Sequence, residues 1–246
     1  MKKLLLAAFI LTTGFCCWCA MSPQHKSPML VLSSLITKDS IPDIRYERDT
    51  TLTPALYTKL QQRITLDRTK LSAQSKDSVN RYFQHTLYQK MIPYWLGTTW
   101  DFNGYTAIPG EGTVACGYFV TTTLRHMGVN LNRYKLAQQY SHSIVKSLCQ
   151  HDTVFTNEEK MFAHLKTKPD DIWVVGLDNH VGFLFKSGDE IRFVHSTYVD
   201  PGCVCDERAE SSAVLATSKV YVIGSLLHNN NLMKKWLEGQ AVMIRE

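Results

Sequence analysis

Apolar residues recur at helical spacing through most of the chain before residue 170, and afterwards give way to short apolar runs and alternation. Thr53-Pro54 opens the first predicted helix, which runs to about Leu60 or Ile64 with threonine as cap and proline at the first position. Val79, Phe83, Leu87 and Met91 repeat every four residues and predict a longer helix from about Ser75 to Met91. Cys116, Val120, Leu124 and Met127 do the same from Cys116 to a closing Gly128. A helix from about Lys135 to Cys149 should bury Leu136, Tyr140, Ile144, Val145 and Leu148. Another starts at Thr156, where Thr156 and Glu159 have capping-box spacing.

Lys168-Pro169-Asp170-Asp171 ends the helical pattern, and strands are expected over 172–175, 180–186, 191–198 and 219–224. Gly188-Asp189 is the turn of a hairpin between the second and third. A last helix covers Asn230 to Leu237, with a short terminal strand over 241–244. Helices first and antiparallel strands afterwards make an α+β fold, with the helices packed on one face of the sheet. Residues 51–91 then form an N-terminal helical extension to a domain spanning 92–246.

Residues 1–20 change the picture: Lys2-Lys3, an apolar stretch from Leu4 to about Phe15 and small residues near Cys17, Cys19 and Ala20 form an export signal. The apolar run is too short for a comfortable membrane span. The expected location is the periplasm or cell envelope, and membrane attachment would come only through a lipid on Cys16, Cys17 or Cys19. Residues 21–50, with Pro23, Pro28 and Pro42 among polar residues, read as an extended linker. A formal charge of +5 with scattered basic residues argues against nucleic-acid binding. Beyond the leader the cysteines are Cys116, Cys149, Cys203 and Cys205. Cys149 with Cys203 or Cys205 is the pair that an exported chain could bridge, and Cys203-x-Cys205 lacks a second ligand pair at zinc spacing.

The chemistry centres on Cys116. At a helix start the unpaired N–H groups and the helix dipole favour thiolate over thiol, which makes a nucleophile. A buried cysteine under a helix cap is the alternative. A nucleophile also needs an imidazole as base and a third group to orient that imidazole. His180 near the start of one expected strand and His195 near the end of the next fall at the same end of a hairpin. Upstream, Tyr94, Trp95 and Trp100 either wall a substrate cleft or anchor their loop in the core.

These residues resemble the NlpC family of papain-like cell-wall cysteine peptidases. The resemblance covers about residues 92–200 and comprises the helix-opening Cys116, His180-Val181-Gly182, Phe193-Val194-His195-Ser196, Pro93-Tyr94-Trp95-Leu96-Gly97 and Lys168-Pro169-Asp170-Asp171-Ile172. It implies a papain-like core, with Cys116 as nucleophile, His180 as base and later acid, and His195 orienting His180. The Cys116 N–H would help stabilise the oxyanion, and Tyr94 would line the pocket. It further implies cleavage of amide bonds in peptidoglycan stem peptides, commonly between D-glutamate and a diamino acid; the chain itself is expected to be a monomer without metal or cofactor. Ala115 and Gly117 stand where the family has aspartate and serine, so the substrate is less defined than the reaction. Alternatives are a papain-like amidase or acyltransferase on another amide or ester, and a non-catalytic cell-wall binding module.

Overall fold

The computed structural model describes residues 43–245. The leader, Cys16, Cys17, Cys19 and most of the linker lie outside the described residues. Helix α1 (Pro54–Leu71), capped by Thr53, runs past Ile64 to Leu71 because Leu60, Ile64 and Leu71 keep facing the core. Helix α2 (Lys76–His85) leads into a π-helical segment, Thr86–Met91, and then α3 (Ile92–Trp95). A repeat of four residues outruns a 3.6-residue turn. The wider π turns keep Leu87 and Met91 in the core below Val79 and Phe83. Pro93 lies in the first turn of α3, where its missing N–H costs nothing.

Helix α4 (Cys116–His126) begins where expected and closes on Gly128, whose φ of 86° is left-handed. The helix expected over 135–149 divides into α5 (Arg133–Ala137), capped by Asn132, and α6 (Ser141–Leu148). Tyr140, assigned to the core by periodicity, sits in the break and is 87% exposed. Asn157 rather than Thr156 caps α7 (Glu158–Lys166), accepting from the Lys160 N–H at 3.0 Å. Two further helices, α8 (Ala213–Thr217) and α9 (Asn230–Glu238), complete the set among the described residues. None of these helices is long and apolar enough to cross a membrane.

The strands β1 (Ile44–Arg45), β2 (Asp152–Phe155), β3 (Asp171–Gly176), β4 (Val181–Ser187), β5 (Glu190–Ser196), β6 (Val204–Arg208) and β7 (Tyr221–Ser225) form one antiparallel sheet in the order β1-β6-β5-β4-β3-β7-β2. Ser187 pairs with Glu190 across the Gly188-Asp189 turn. Residues 44–45, expected as linker, are thus an edge strand on β6. At the other end of the expected order, residues 241–244 contribute only an isolated bridge from Ala241 to Asn130.

Alternate residues of the central strands enter two different cores. Ile172, Val174, Phe183 and Phe185 pack with α1, α2, α4 and α6, whereas Trp173, Val175, Leu184 and Phe193 pack with Met161, Phe162 and Leu165 of α7 and Val214 and Leu215 of α8. Helices therefore cover both faces of the sheet, not one. β3 is buried along its whole length, so its run of apolar residues carries no polar alternation. The helices of residues 54–91 share the larger core with α4 and the sheet.

Asp171 staples the sheet to the chain after β7. Its carboxylate accepts from the Ile172 and Leu227 N–H groups, from His228 Nδ1 at 2.7 Å and from the Ser225 hydroxyl. The Lys-Pro-Asp-Asp segment thereby fixes where β3 begins.

Candidate active site

The approach to Cys116 is pinned by backbone bonds from Val114 N–H to Thr99 O and from Ala115 N–H to Gly104 O, each within 2.9 Å. Ser196, the last residue of β5, donates its hydroxyl to Val114 O at 2.7 Å, so the nucleophile's loop is tied to the strand that carries His195. Ala115 is the extended residue before α4 and supplies no side-chain cap, which leaves the first N–H groups of the helix free to face other acceptors. Gly117 has its own cause: a Cβ there would stand 2.5 Å from the Ala137 carbonyl oxygen at the end of α5. Close packing of α5 on α4 explains glycine at this position.

The N–H groups of Cys116, Gly117 and Val181 all favour the thiolate, but burial outweighs them and pushes the Cys116 thiol above its ordinary range. Cys116 thus rests as a thiol, against the expectation that the helix start alone would make a thiolate. Val181, whose N–H acts on the sulfur, follows His180 in the chain, and Cys116, His180 and Val181 all line one cavity.

His180 and His195 meet as the hairpin reading required: His180 Nε2 and His195 Nδ1 are 2.8 Å apart, with both rings buried. Gly182 makes this approach feasible, since a Cβ there would fall 2.6 Å from the Phe193 ring and 2.9 Å from His195 Cβ. Burial holds His180 well below its usual range, reinforced by its neighbour His195, and burial also lowers His195 against the opposing pull of Glu207. Both rings are therefore neutral at pH 7.

Glu207, which the sequence reading passed over, fixes their tautomers. Its Oε1 lies 3.1 Å from His195 Nε2, and a carboxylate only accepts, so Nε2 carries the His195 proton. His195 Nδ1 must then accept, and His180 Nε2 must donate. The remaining His180 atom, Nδ1, is a bare lone pair, buried and without a hydrogen-bond partner. No motif flags Glu207; only the β5–β6 register, in which Phe193 faces Glu207 and His195 faces Cys205, brings it there.

His195, Cys205 and Glu207 also offer three ligand atoms within 4.8 Å of one another. Burial and the Glu207 carboxylate hold the Cys205 thiol high, in its protonated form. With the carboxylate engaged by His195, the group reads as a hydrogen-bonded relay. The four cysteines among the described residues are all free. Cys149 lies against Gly224 of β7, while Cys205 is on β6, four strand spacings or roughly 19 Å away across the sheet. That separation rules out the disulfide considered from sequence.

Cys116 and His180 line one cavity of about 700 Å³. Of the aromatic candidates, Trp100 lines it. Trp95 does not: it is wholly buried and donates Nε1–H to the Tyr57 hydroxyl at 2.8 Å. Tyr94 also turns away, its ring 4.9 Å from that of Tyr57. Both serve as loop anchors, the alternative reading of that aromatic run. The cavity wall instead adds Phe102, Tyr105, Tyr118, Tyr140 and Tyr198, of which only Tyr140 had been given a place, and that in the core.

Comparison with protein-family models, with curated proteins and with solved structures gave no match to this chain.

Proposed function

We propose that the protein is an exported cysteine hydrolase of the NlpC type, with a papain-like arrangement of helix-borne nucleophile and sheet-borne base. One observation carries the reading: buried His180, whose Nδ1 has no hydrogen-bond partner, lines the same cavity as Cys116. An orphaned buried lone pair costs free energy, and opposite a thiol it has a use as a base.

In the reaction, Cys116 Sγ attacks the carbonyl carbon of an amide while its proton passes to His180 Nδ1. The C–N bond breaks, and the leaving amine takes that proton from His180. Water then attacks the thioester carbon and gives a proton to His180; the C–S bond breaks to release the acid, and His180 returns the proton to the Cys116 thiolate. His195 and Glu207 hold the His180 ring and stabilise the imidazolium as it forms. The N–H groups at the start of α4 face the developing oxyanion. Peptidoglycan stem peptides are the proposed substrate, through the resemblance in residues 92–200, and the leader in residues 1–20 supports a periplasmic or cell-envelope location.

A second reading, an amidase or acyltransferase on another amide or ester, is favoured by Ala115 and Gly117 beside the nucleophile. Purified protein incubated with peptidoglycan, with the soluble fragments read by mass spectrometry, separates the two. New stem-peptide termini from wild type but not from Cys116→Ala support the first. Equal release by both proteins sinks it.

A further inference from the structure

The wall around Cys116 has a composition that constrains what can reach it. Phe102 and Tyr140 stand 80% and 87% exposed at the rim, Tyr105 and Tyr198 are exposed as well, and half-buried Trp100 and Tyr118 complete the aromatic wall. Exposed aromatic side chains that converge on one cavity are a surface made for contact. Among the described residues, no lysine or arginine lines the cavity, and Asp178 is its one acidic residue. The Asp178 carboxylate is held at the rim by the Lys219 backbone N–H at 2.7 Å.

The nearest guanidinium is behind the wall. Arg133 is buried, donates to the Tyr105 carbonyl at 2.6 Å, to the Thr106 carbonyl at 3.3 Å and to the Thr122 hydroxyl, and lies 5.4 Å from the centre of the Tyr118 ring. It holds the aromatic wall and presents no donor to the cavity. A free carboxylate next to the scissile bond would therefore enter a cleft with no lysine or arginine in its wall to receive it and with Asp178 at its rim.

We propose that Cys116 acts on an uncharged acyl donor, an amide or ester with no free carboxylate beside the scissile bond and with a flat apolar group that stacks on the aromatic wall. This rests on Cys116 being the reactive thiol of the proposed hydrolase.

The test uses three alkylating probes on the full protein: iodoacetanilide, iodoacetamide and iodoacetate, with Cys116 modification followed by mass spectrometry. N-acetylcysteine amide at the same pH supplies the reference rates. The expected order is iodoacetanilide, then iodoacetamide, then iodoacetate. Discrimination against iodoacetate should exceed that of the reference thiol by about tenfold, and Asp178→Asn should narrow it. Iodoacetate reacting with Cys116 at the reference ratio or faster overturns the proposal while leaving the nucleophile intact. No gain for iodoacetanilide over the reference overturns its aromatic half. A Cys116 unreactive to all three would instead remove the hydrolase reading itself, and the proposal with it.

Discussion

His180 Nε2 lies 2.8 Å from His195 Nδ1, and neither ring reaches solvent. Two neutral buried imidazoles can share one hydrogen bond in either direction, and only a third group decides which. Glu207 decides it here, leaving the His180 Nδ1 lone pair for the thiol. Replacing His195 by alanine removes the acceptor that fixes the ring. In His195→Ala, kcat/KM on whatever substrate the digest identifies should fall by about 10²-fold. A circular-dichroism melt checks that the variant is folded. A folded variant with undiminished activity would mean that His195 does not orient the base.

Glu207 is the positioning residue furthest from the thiol, and its charge can be separated from its hydrogen bond. Glu207→Gln keeps an acceptor oxygen but removes the charge that favours protonated His195. The histidine pair should then protonate less readily, so the acid limb of the kcat/KM profile moves to lower pH. The maximum should fall about tenfold with KM unchanged, and Glu207→Asp should recover part of it. A purely structural glutamate would alter the melting temperature and leave the profile in place.

A resting thiol and a neutral imidazole differ from a preformed thiolate–imidazolium pair in how labelling depends on pH. Burial raises the Cys116 thiol and lowers His180, so both shifts oppose the charged pair. Iodoacetamide labelling of Cys116 should climb through the neutral and into the alkaline range, with no plateau on the acid side. A level rate from about pH 5 to 7 would show a standing thiolate.

His126 gives a stability prediction apart from the site. Trp95 Nε1–H donates to the Tyr57 hydroxyl, which lies 2.9 Å from His126 Nδ1 and can donate to it when the histidine is neutral. Burial, with Arg133 and Arg125 adding, holds His126 down to about 4 from 6.5. A histidine depressed in the fold binds its proton more tightly when unfolded. Its contribution is complete above pH 6.5 and is lost as pH falls toward 4. Urea midpoints of wild type should drop across that window, and His126→Asn should flatten the drop.

Much of the site was legible because its parts are local. A cysteine opening a periodic stretch, and two histidines at the same end of a hairpin marked by Gly188-Asp189, are each read from a short segment of the chain. Glu207 was not legible, because its place depends on β6 pairing with β5 after a connection through Gly202, and no short-range signal sets that register. The second helical layer was missed for a related reason. β3 and β4 are apolar on both faces, and a continuous apolar run does not say which helices cover each side. Tyr140 illustrates the reverse error: helical periodicity carried it into the core, while the break after Ala137 turned it into the cavity rim.

Gly117 is where the departure from the NlpC pattern can be tried directly. Gly117→Ser restores the family's residue type, but its Cβ would stand 2.5 Å from the Ala137 carbonyl oxygen, and backbone cannot swing aside as a long side chain can. Either α5 moves away from α4 or the first turn of α4 shifts and carries Cys116 with it. Overpacking of this kind costs about 1–3 kcal/mol, which in a chain of this size lowers the melting temperature by roughly 2–4 °C per kcal/mol. Gly117→Ala tests the cause, because it adds the same Cβ without the hydroxyl. Equal losses of melting temperature in the two variants, with slower Cys116 labelling in both, assign the effect to the Ala137 contact. A Gly117→Ser variant as stable and as reactive as wild type would show that α5 yields freely, and that glycine there has another cause.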